Sequence, residues 1–348
     1  MKIKLNRMPM KYSHGKLKLI FSVPAKKIEN LTYAYYIYQD GKAIQKIWYQ
    51  PLETVTTIQV EPLFSGAYQL RLFVKEGDTI IYNELTETLN IDCKNQALLT
   101  TTLADEKIFF NDVPVKYLFQ PAEGASDTLL LSFSGLYSTE FQGGPPVYNH
   151  IRTLEPVNVH KLFLLDSYQE QFCYYVGFNR EHDFERAVIA LITKIANQYN
   201  ISAKRIIATG SSKGGAAALY YSVKYNFGKA IIGAPQIYIA DYLNKRANSP
   251  SMRERYERLL GENQQQGQRF WNQLILHEVA VAEKFPDMYF HVGEGDFHYP
   301  QHLAPLLQHL DKRGVAYQLD LESYENHSDT GLYFAPFLLR TIQALVRK

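Results

Sequence analysis

The sequence predicts two folding units of different class: a small N-terminal β-sandwich over residues 1–93 and, after a linker at 94–107, an α/β domain with a mostly parallel sheet over 108–348. Three observations predict this division. Up to residue 91 the chain reads as strand-length alternating or aromatic-rich runs separated by glycine turns. Beyond residue 107, near-continuous apolar runs of strand length alternate with helix-length segments, the grammar of a parallel sheet covered on both faces. The stretch between them is polar and threonine-rich. A length of 348 residues suits two domains or one large one, with ample surface to bury.

In the first unit the expected strands are 17–23, 32–38, 43–49, 56–60, 67–74 and 79–85, each β-branched or aromatic. Gln39-Asp40-Gly41, Phe64-Ser65-Gly66 and Glu76-Gly77-Asp78 separate them, glycine supplying the positive φ of tight hairpin turns. Six or seven short strands at regular spacing suggest an immunoglobulin-like sandwich. Its aromatics Tyr33, Tyr35, Tyr36, Trp48 and Tyr49 have two readings, core packing or a platform on which sugars stack.

In the second unit the expected strands are 113–119, 128–134, 161–166, 205–209, 229–233, 288–292 and 316–321. Helical patterns cover 183–199, 214–224, 239–284, 301–313 and 332–346. The helical insertion at about 239–285 falls where a lid would sit. It carries Lys245, Arg246, Arg253, Arg255 and Arg258, interspersed with Glu254, Glu257 and Glu262. Those charges read either as a solvated helix face or as a basic wall for phosphates or an anionic saccharide, with Arg246 and Arg253 as the substrate- or donor-binding candidates.

Composition narrows the function classes. With 37 Lys+Arg against 35 Asp+Glu, the net charge of +2 gives no field to hold nucleic acid or an anionic membrane across a whole face. Two cysteines, Cys93 and Cys173, build neither a disulfide framework nor a cysteine zinc site, which suits a reducing compartment. No apolar run nears the length of a membrane span, and the lysine-bearing N-terminus is not followed by a signal-peptide core. The expected location is cytoplasmic, with association with a membrane-bound assembly left open.

The sharpest local signal is Thr209-Gly210-Ser211-Ser212-Lys213-Gly214-Gly215, a G-x-S-x-G pattern between a strand and an alanine-rich helix start. In a nucleophile elbow the serine sits on a strained turn, and flanking glycines are needed because larger side chains would strike neighbouring backbone. Ser212 is then the nucleophile. The other reading is a glycine-rich anion loop with Lys213 on a phosphate, for which the Walker pattern is absent.

A serine nucleophile needs a base and a carboxylate to orient it, in the chain order Ser, Asp or Glu, His, each just past a strand end. Residues 288–292 lead into Gly293-Glu294-Gly295-Asp296, and residues 316–321 lead toward Asn326-His327. Asp296 is the expected orienting acid, with Glu294 and Asp241 as rivals, and His327 the expected base, with His298 and His302 as rivals. Glu294, Asp296, His298 and His302 also resemble a ligand set, yet Pro300 interrupts an i, i+4 face and no third cluster follows, so no metal is expected. His150, His160, His277 and His309 read as surface or structural. The oxyanion donors expected are the amide of Lys213 and, after the strand 128–134, the amide of Leu136 or else Gly135. Gly143-Gly144-Pro145-Pro146 would shape the same mouth.

With Ser134-Gly135-Leu136, the 210–215 motif, the 293–296 loop and Asn326-His327 in place, residues 108–348 resemble an α/β-hydrolase. More narrowly they resemble bacterial polysaccharide O-acetyltransferases of that fold, including capsule O-acetyltransferases and the glycan O-acetyltransferase of the accessory Sec system. The resemblance implies an acetylated Ser212, His327 as base, Asp296 as its orienter, acetyl-CoA as donor co-substrate with no permanently bound cofactor, and a saccharide or polysaccharide acceptor. A membrane-bound polysaccharide-synthesis complex is the setting it suggests. An esterase using the same three residues, and a non-catalytic saccharide-binding or scaffold protein, are the alternatives.

Overall fold

The computed structural model describes residues 5–13, 16–24, 30–60, 66–91, 105–111, 113–136, 140, 146–169 and 171–346. Cys93, residues 94–104 of the expected linker, Phe64-Ser65 and Gly143-Gly144-Pro145 lie outside them. The chain divides into two compact units, Met1–Thr100 and Thr101–Lys348.

The first unit is a sandwich of two antiparallel sheets. In one, β3 (Lys16–Ser22) pairs with β1 (Asn6–Arg7), β2 (Lys11–Ser13) and β6 (Val55–Val60). In the other the order is β5 (Lys42–Pro51), β4 (Leu31–Gln39), β7 (Gly66–Glu76), β8 (Thr79–Leu85), with β9 (Leu89–Ile91) also on β7. Alternate residues meet between the sheets: Leu17, Leu19, Phe21 and Ile58 from one face Leu31, Ile37, Leu70, Leu72 and Val74 from the other in a single core. Tyr33 belongs to this core and Tyr35 packs against it, whereas Trp48 is 70% exposed. Tyr36 and Tyr49 lie under the ammonium groups of Lys46 and Lys75. The five aromatics therefore have different environments.

The second unit holds an eight-stranded sheet in the order β10 (Lys107–Asn111), β11 (Val113–Gln120), β13 (His160–Leu164), β12 (Leu129–Phe133), β14 (Ile206–Ser211), β15 (Lys229–Gly233), β16 (Asp287–Gly293), β17 (Gln318–Glu322). β10 and β11 form an antiparallel hairpin, β11 pairs antiparallel with β13, and from β13 across to β17 the strands pair in parallel. Lys107, the last residue of the expected linker, instead opens β10 opposite Tyr117. Leu129, Leu131 and Phe133 point into one core and Leu130 into another, so both faces are covered. This is the α/β-hydrolase architecture preceded by a β-subdomain.

Among the described residues the α-helices are α1 (Ile151–Leu154), α2 (Asp183–Gln198), α3 (Lys213–Lys224), α4 (Ile239–Asn244), α5 (Pro250–Leu260), α6 (Gln264–Val281), α7 (Ala304–Lys312) and α8 (Thr330–Val346). The insertion is thus three helices, divided by its own stop and start signals. Ser249 accepts from the Met252 amide at 3.2 Å with Pro250 in the first turn, and Gly261, at φ +83°, ends α5. Asn263 then caps α6. The buried Trp271 donates its indole N–H to Leu259 O at 2.9 Å and ties α6 to α5.

Candidate active site

Ser212 stands at the turn from β14 into α3 with φ 56° and ψ −117°, a conformation that costs a non-glycine residue on the order of 1–3 kcal/mol and persists only when the surroundings impose it. The surroundings are backbone. The Ser212 amide donates to Gly233 O at 2.8 Å. A Cβ on Gly210 would lie 2.4 Å from the Gly214 carbonyl, and one on Gly214 would lie 2.3 Å from Phe133 O. The glycines at these positions let β12, β14 and α3 approach closely enough to hold the serine on the turn.

Because β14, β16 and β17 run parallel, the loops that follow them open at the same sheet edge. Two backbone hydrogen bonds, Glu294 N to Glu322 O at 2.7 Å and Gly295 N to Tyr324 O at 3.1 Å, bind the loop after β16 to the end of β17 and the loop that follows it. Asp296 and His327 are thereby brought to Ser212. The Ser212 hydroxyl lies 3.0 Å from His327 Nε2, and His327 Nδ1 lies 2.8 Å from Asp296 Oδ2. Asp296 is fully buried, the His327 side chain is 21% exposed, and Ser212 is 8% exposed, so the relay runs from the interior to a reachable oxygen.

Asp296 holds two imidazoles. Its Oδ1 accepts from the His298 amide at 2.9 Å and faces His298 Nδ1 at 3.1 Å, while Thr330 Oγ1 donates to Oδ2 at 3.3 Å. Burial opposes ionisation of this carboxyl, yet the hydrogen bonds from His298 and His327 outweigh it and hold it well below the usual carboxylate range. An ionised Asp296 accepts, which places the proton of His327 on Nδ1 and leaves Nε2 to receive the serine proton. His298 stacks on His327 with ring centroids 3.6 Å apart. Its bonds are to Asp296, whereas the bond to the serine hydroxyl is made by His327.

Burial pushes His298 down to about 4, against the pull of Asp296, and His302 down to about 3. Both are neutral when folded at pH 7. With folded values below the ordinary 6.5, each takes up its proton more readily in the unfolded chain, so stability fully present above pH 6.5 is lost as pH falls from there to about 4 for His298 and about 3 for His302. We expect the urea midpoint of the second unit to drop across this window by an amount corresponding to on the order of 3 kcal/mol for His298. A His298→Gln protein should show a shallower loss; an unchanged pH profile in that variant would show that His298 does not contribute.

The side chain after the nucleophile is internal. Lys213 Nζ lies 2.8 Å from Asp166 Oδ2, both side chains being fully buried. Asp166 also accepts the amides of Cys173 at 3.0 Å and Tyr174 at 2.9 Å, so one carboxylate ties the start of α3 to the 166–175 loop. This excludes Lys213 from the phosphate-contacting reading of the motif. The main-chain N–H of Lys213, at the start of α3, has no preceding helical carbonyl to accept it. Gly135 is different: its amide donates to Asn149 Oδ1 at 2.7 Å, and Ser134 N donates to Tyr175 OH at 2.6 Å. The Gly135 amide, the second choice for the oxyanion donor, is thus engaged by a side chain, and Leu136 offers the next amide along.

Gln236, which sequence reasoning did not select, donates from Nε2 to Ser212 Oγ at 2.7 Å. Its Oε1 accepts from Tyr174 OH at 2.6 Å, and burial pushes that phenol well above its ordinary value, so it remains a donor. Gln236 is fixed at both ends, and its bond to Oγ strengthens as the serine proton leaves. Gln236→Leu should lower kcat on a small activated ester by about tenfold at nearly constant KM, the size of one hydrogen bond made mainly in the transition state. A rise in KM alone would assign Gln236 to substrate binding instead.

The remaining candidates disperse. Glu294 is exposed, and Asp241 lies on α4, where its carboxylate accepts from Gln268 Nε2 at 3.2 Å. His302 Nδ1 accepts from the Tyr238 amide at 3.2 Å. Arg246 lines a cavity beside the relay. Arg253 is not among the residues that line it: its guanidinium donates to Asn244 Oδ1 at 2.9 Å and Ala247 O at 3.1 Å, holding the turn between α4 and α5. Of the two arginines proposed to meet substrate or donor, the structure therefore places only Arg246 at this cavity. Asp296, His298 and His327 offer ligand atoms within 4.8 Å of one another, the set among the described residues that could hold a metal ion. In the relay those side chains bond to one another and to Ser212.

Residues 178–334 match the model of the Prolyl oligopeptidase family. No curated protein matches the sequence. Among solved structures the chain is similar to the capsule O-acetyltransferase of Neisseria meningitidis serogroup A, with 19% identity and a TM-score of 0.58 over 70% of this chain and 96% of that one; that protein has also been seen in complex with CoA. It is similar to the Glycosylation Associate Protein (Gap123) complex from Streptococcus agalactiae, with 14% identity and a TM-score of 0.58 over 99% of this chain and 70% of that one. It is also similar to FphF, a fluorophosphonate-binding serine hydrolase of Staphylococcus aureus, with 15% identity and a TM-score of 0.52 over 69% and 97%. Identities of this size carry the fold. That fold, with its serine, histidine and aspartate arranged as described, is of the α/β-hydrolase serine-enzyme type, capable of acyl transfer or ester hydrolysis.

Proposed function

We propose that the protein is a serine acyltransferase that moves an acetyl group from acetyl-CoA to a hydroxyl of a bacterial capsular or other surface polysaccharide, through acetyl-Ser212. The observation that carries the reading is the hydrogen-bonded line from Asp296 through His327 to Ser212 on a strained elbow. His327 Nε2 takes the hydroxyl proton as Ser212 Oγ attacks the thioester carbonyl, and the amides of Lys213 and Leu136 hold the oxyanion. The C–S bond breaks, the proton on Nε2 passes to the CoA thiolate, and acetyl-Ser212 remains. A sugar hydroxyl then gives its proton to Nε2 and attacks the ester carbonyl, the bond from the acyl carbon to Ser212 Oγ breaks, and Nε2 returns the proton to Oγ. The likeness of fold to a capsule O-acetyltransferase and to a glycosylation-associated complex supports a glycan as acceptor.

The exposed fraction of His327 supports a second reading, because water reaching Nε2 in place of the sugar makes the same residues an esterase. Thiol release from acetyl-CoA, followed with and without candidate saccharides, separates the two. Release that accelerates with a saccharide and leaves acetylated glycan supports the transferase. Equal release in both conditions, with only acetate formed, supports the esterase.

A further inference from the structure

Beside the relay is a cavity of about 400 Å³, within the size range of small-molecule sites, lined by Tyr238, Tyr242, Lys245, Arg246, Phe297 and His302 together with Asp241 and Gln301. It adjoins the reacting groups through rings: Phe297 lies 5.8 Å from His327 and Tyr242 lies 5.4 Å from His298, centroid to centroid. The guanidinium of Arg246 sits 3.9 Å over the Tyr242 ring and 5.0 Å from Phe297. Stacking of this kind fixes the plane of an arginine, whose fork matches a planar oxyanion. Among the described residues no carboxylate pairs with Arg246 within 4.0 Å. Lys245 Nζ meets the neutral Gln301 Oε1 at 3.1 Å.

The surrounding groups do not cancel this charge. Asp241 is the one carboxylate among the lining residues, and its oxygen also accepts from Gln268 on α6. The buried Asp296 is engaged by His298, His327 and Thr330. His298 and His302 stay neutral, burial being the main cause and Arg246 adding to it. Two cations therefore face the cavity against one carboxylate.

We propose that this cavity is the subsite for an oxyanion carried by the substrate, a phosphate or a carboxylate, with Arg246 as its principal ligand and Lys245 as the second cation. The inference rests on the acyl-transfer reading of Ser212 in that it makes the cavity part of the same substrate's site. The shared chemistry has two sources, the phosphates of a nucleotide thioester donor or the carboxylate of an acidic saccharide acceptor.

Calorimetric titration of full-length Ser212→Ala protein tests it, because binding is then read without acylation and independently of whether acetyl is the group transferred. The probes are CoA, a hyaluronan tetrasaccharide as carboxylate-bearing sugar, and chitotetraose as neutral sugar. Adding Arg246→Gln should weaken one of the two anionic probes by about tenfold or more, the loss expected for a charge-assisted hydrogen-bonded contact. Arg246→Lys should recover part of it. Arg253→Gln, the same charge change outside the cavity, should leave Kd unchanged, as should Arg246→Gln for chitotetraose. A loss confined to CoA assigns the subsite to the donor's phosphates, and one confined to hyaluronan assigns it to an acidic acceptor. Equal affinities in the presence and absence of Arg246, or no binding of either anionic probe, overturn the proposal. Should Arg246→Gln not fold by thermal melting, Lys245→Gln and Arg246→Lys supply the same comparison.

Discussion

Replacing Ser212 or His327 with alanine lowers kcat by about 10⁴- to 10⁶-fold on any ester the protein turns over, and replacing both costs little more than replacing one. The non-additivity is the informative part. Ser212 Oγ and His327 Nε2, 3.0 Å apart, share one proton transfer, so removing either partner removes the whole of it. Asp296→Asn should cost about 10⁴-fold, because an amide at 2.8 Å from Nδ1 no longer demands the tautomer that leaves Nε2 free. Residual activity in the variants reports the oxyanion amides alone. Single-turnover rates on an activated ester measure all three, and additive losses would show that the serine and histidine act separately.

Lys213→Met destabilises the second unit by about 3–5 kcal/mol, since it leaves the fully buried Asp166 carboxylate without its cation. The loss should be smaller in Lys213→Met combined with Asp166→Asn, in which no charge is stranded and the asparagine oxygen still accepts an amide from the 173–174 turn. Urea unfolding read by fluorescence checks this in a Trp48→Phe background, where the remaining tryptophan, Trp271, reports the second unit. A double variant no more stable than Lys213→Met would mean that the pair matters through packing, not charge. Because Asp166 also gathers the amides preceding Tyr175, the single variant should loosen the Tyr174–Gln236 contact to Ser212 as well.

How far the sequence could be read depends on whether a feature is local. The strands at 129–133 and 229–233 are recognised because burial on both faces makes them near-continuous apolar runs, and α3 because glycines are required against β12 and β14. The strands β1, β2 and β9, two or three residues long, have no room for an alternating pattern, and β10 is short and opens inside a stretch that reads as linker. At the site, the elbow is a contiguous motif and the loops after β16 and β17 are each adjacent to a readable strand. Gln236 has no such marker: a glutamine 24 residues from the serine is placed by the bend after β15, where Ala234 takes φ 36° and the Gln236 amide returns to Ser212 O. The partner of Lys213 lies 47 residues earlier, and the amide of Gly135 is taken by a side chain 14 residues later. Arg246 and Arg253 look alike in sequence, yet only the helix turn between them decides which faces the cavity.

The central claim is that Ser212 carries an acyl group in turnover, and intact-protein mass spectrometry after brief incubation with acetyl-CoA tests it most directly. The account predicts one acetyl adduct on the parent protein, none on Ser212→Ala, little on His327→Ala, and disappearance of the adduct when a competent saccharide is added. An adduct that persists on Ser212→Ala, or a parent protein that releases CoA thiol with no acetyl-enzyme formed, would contradict it.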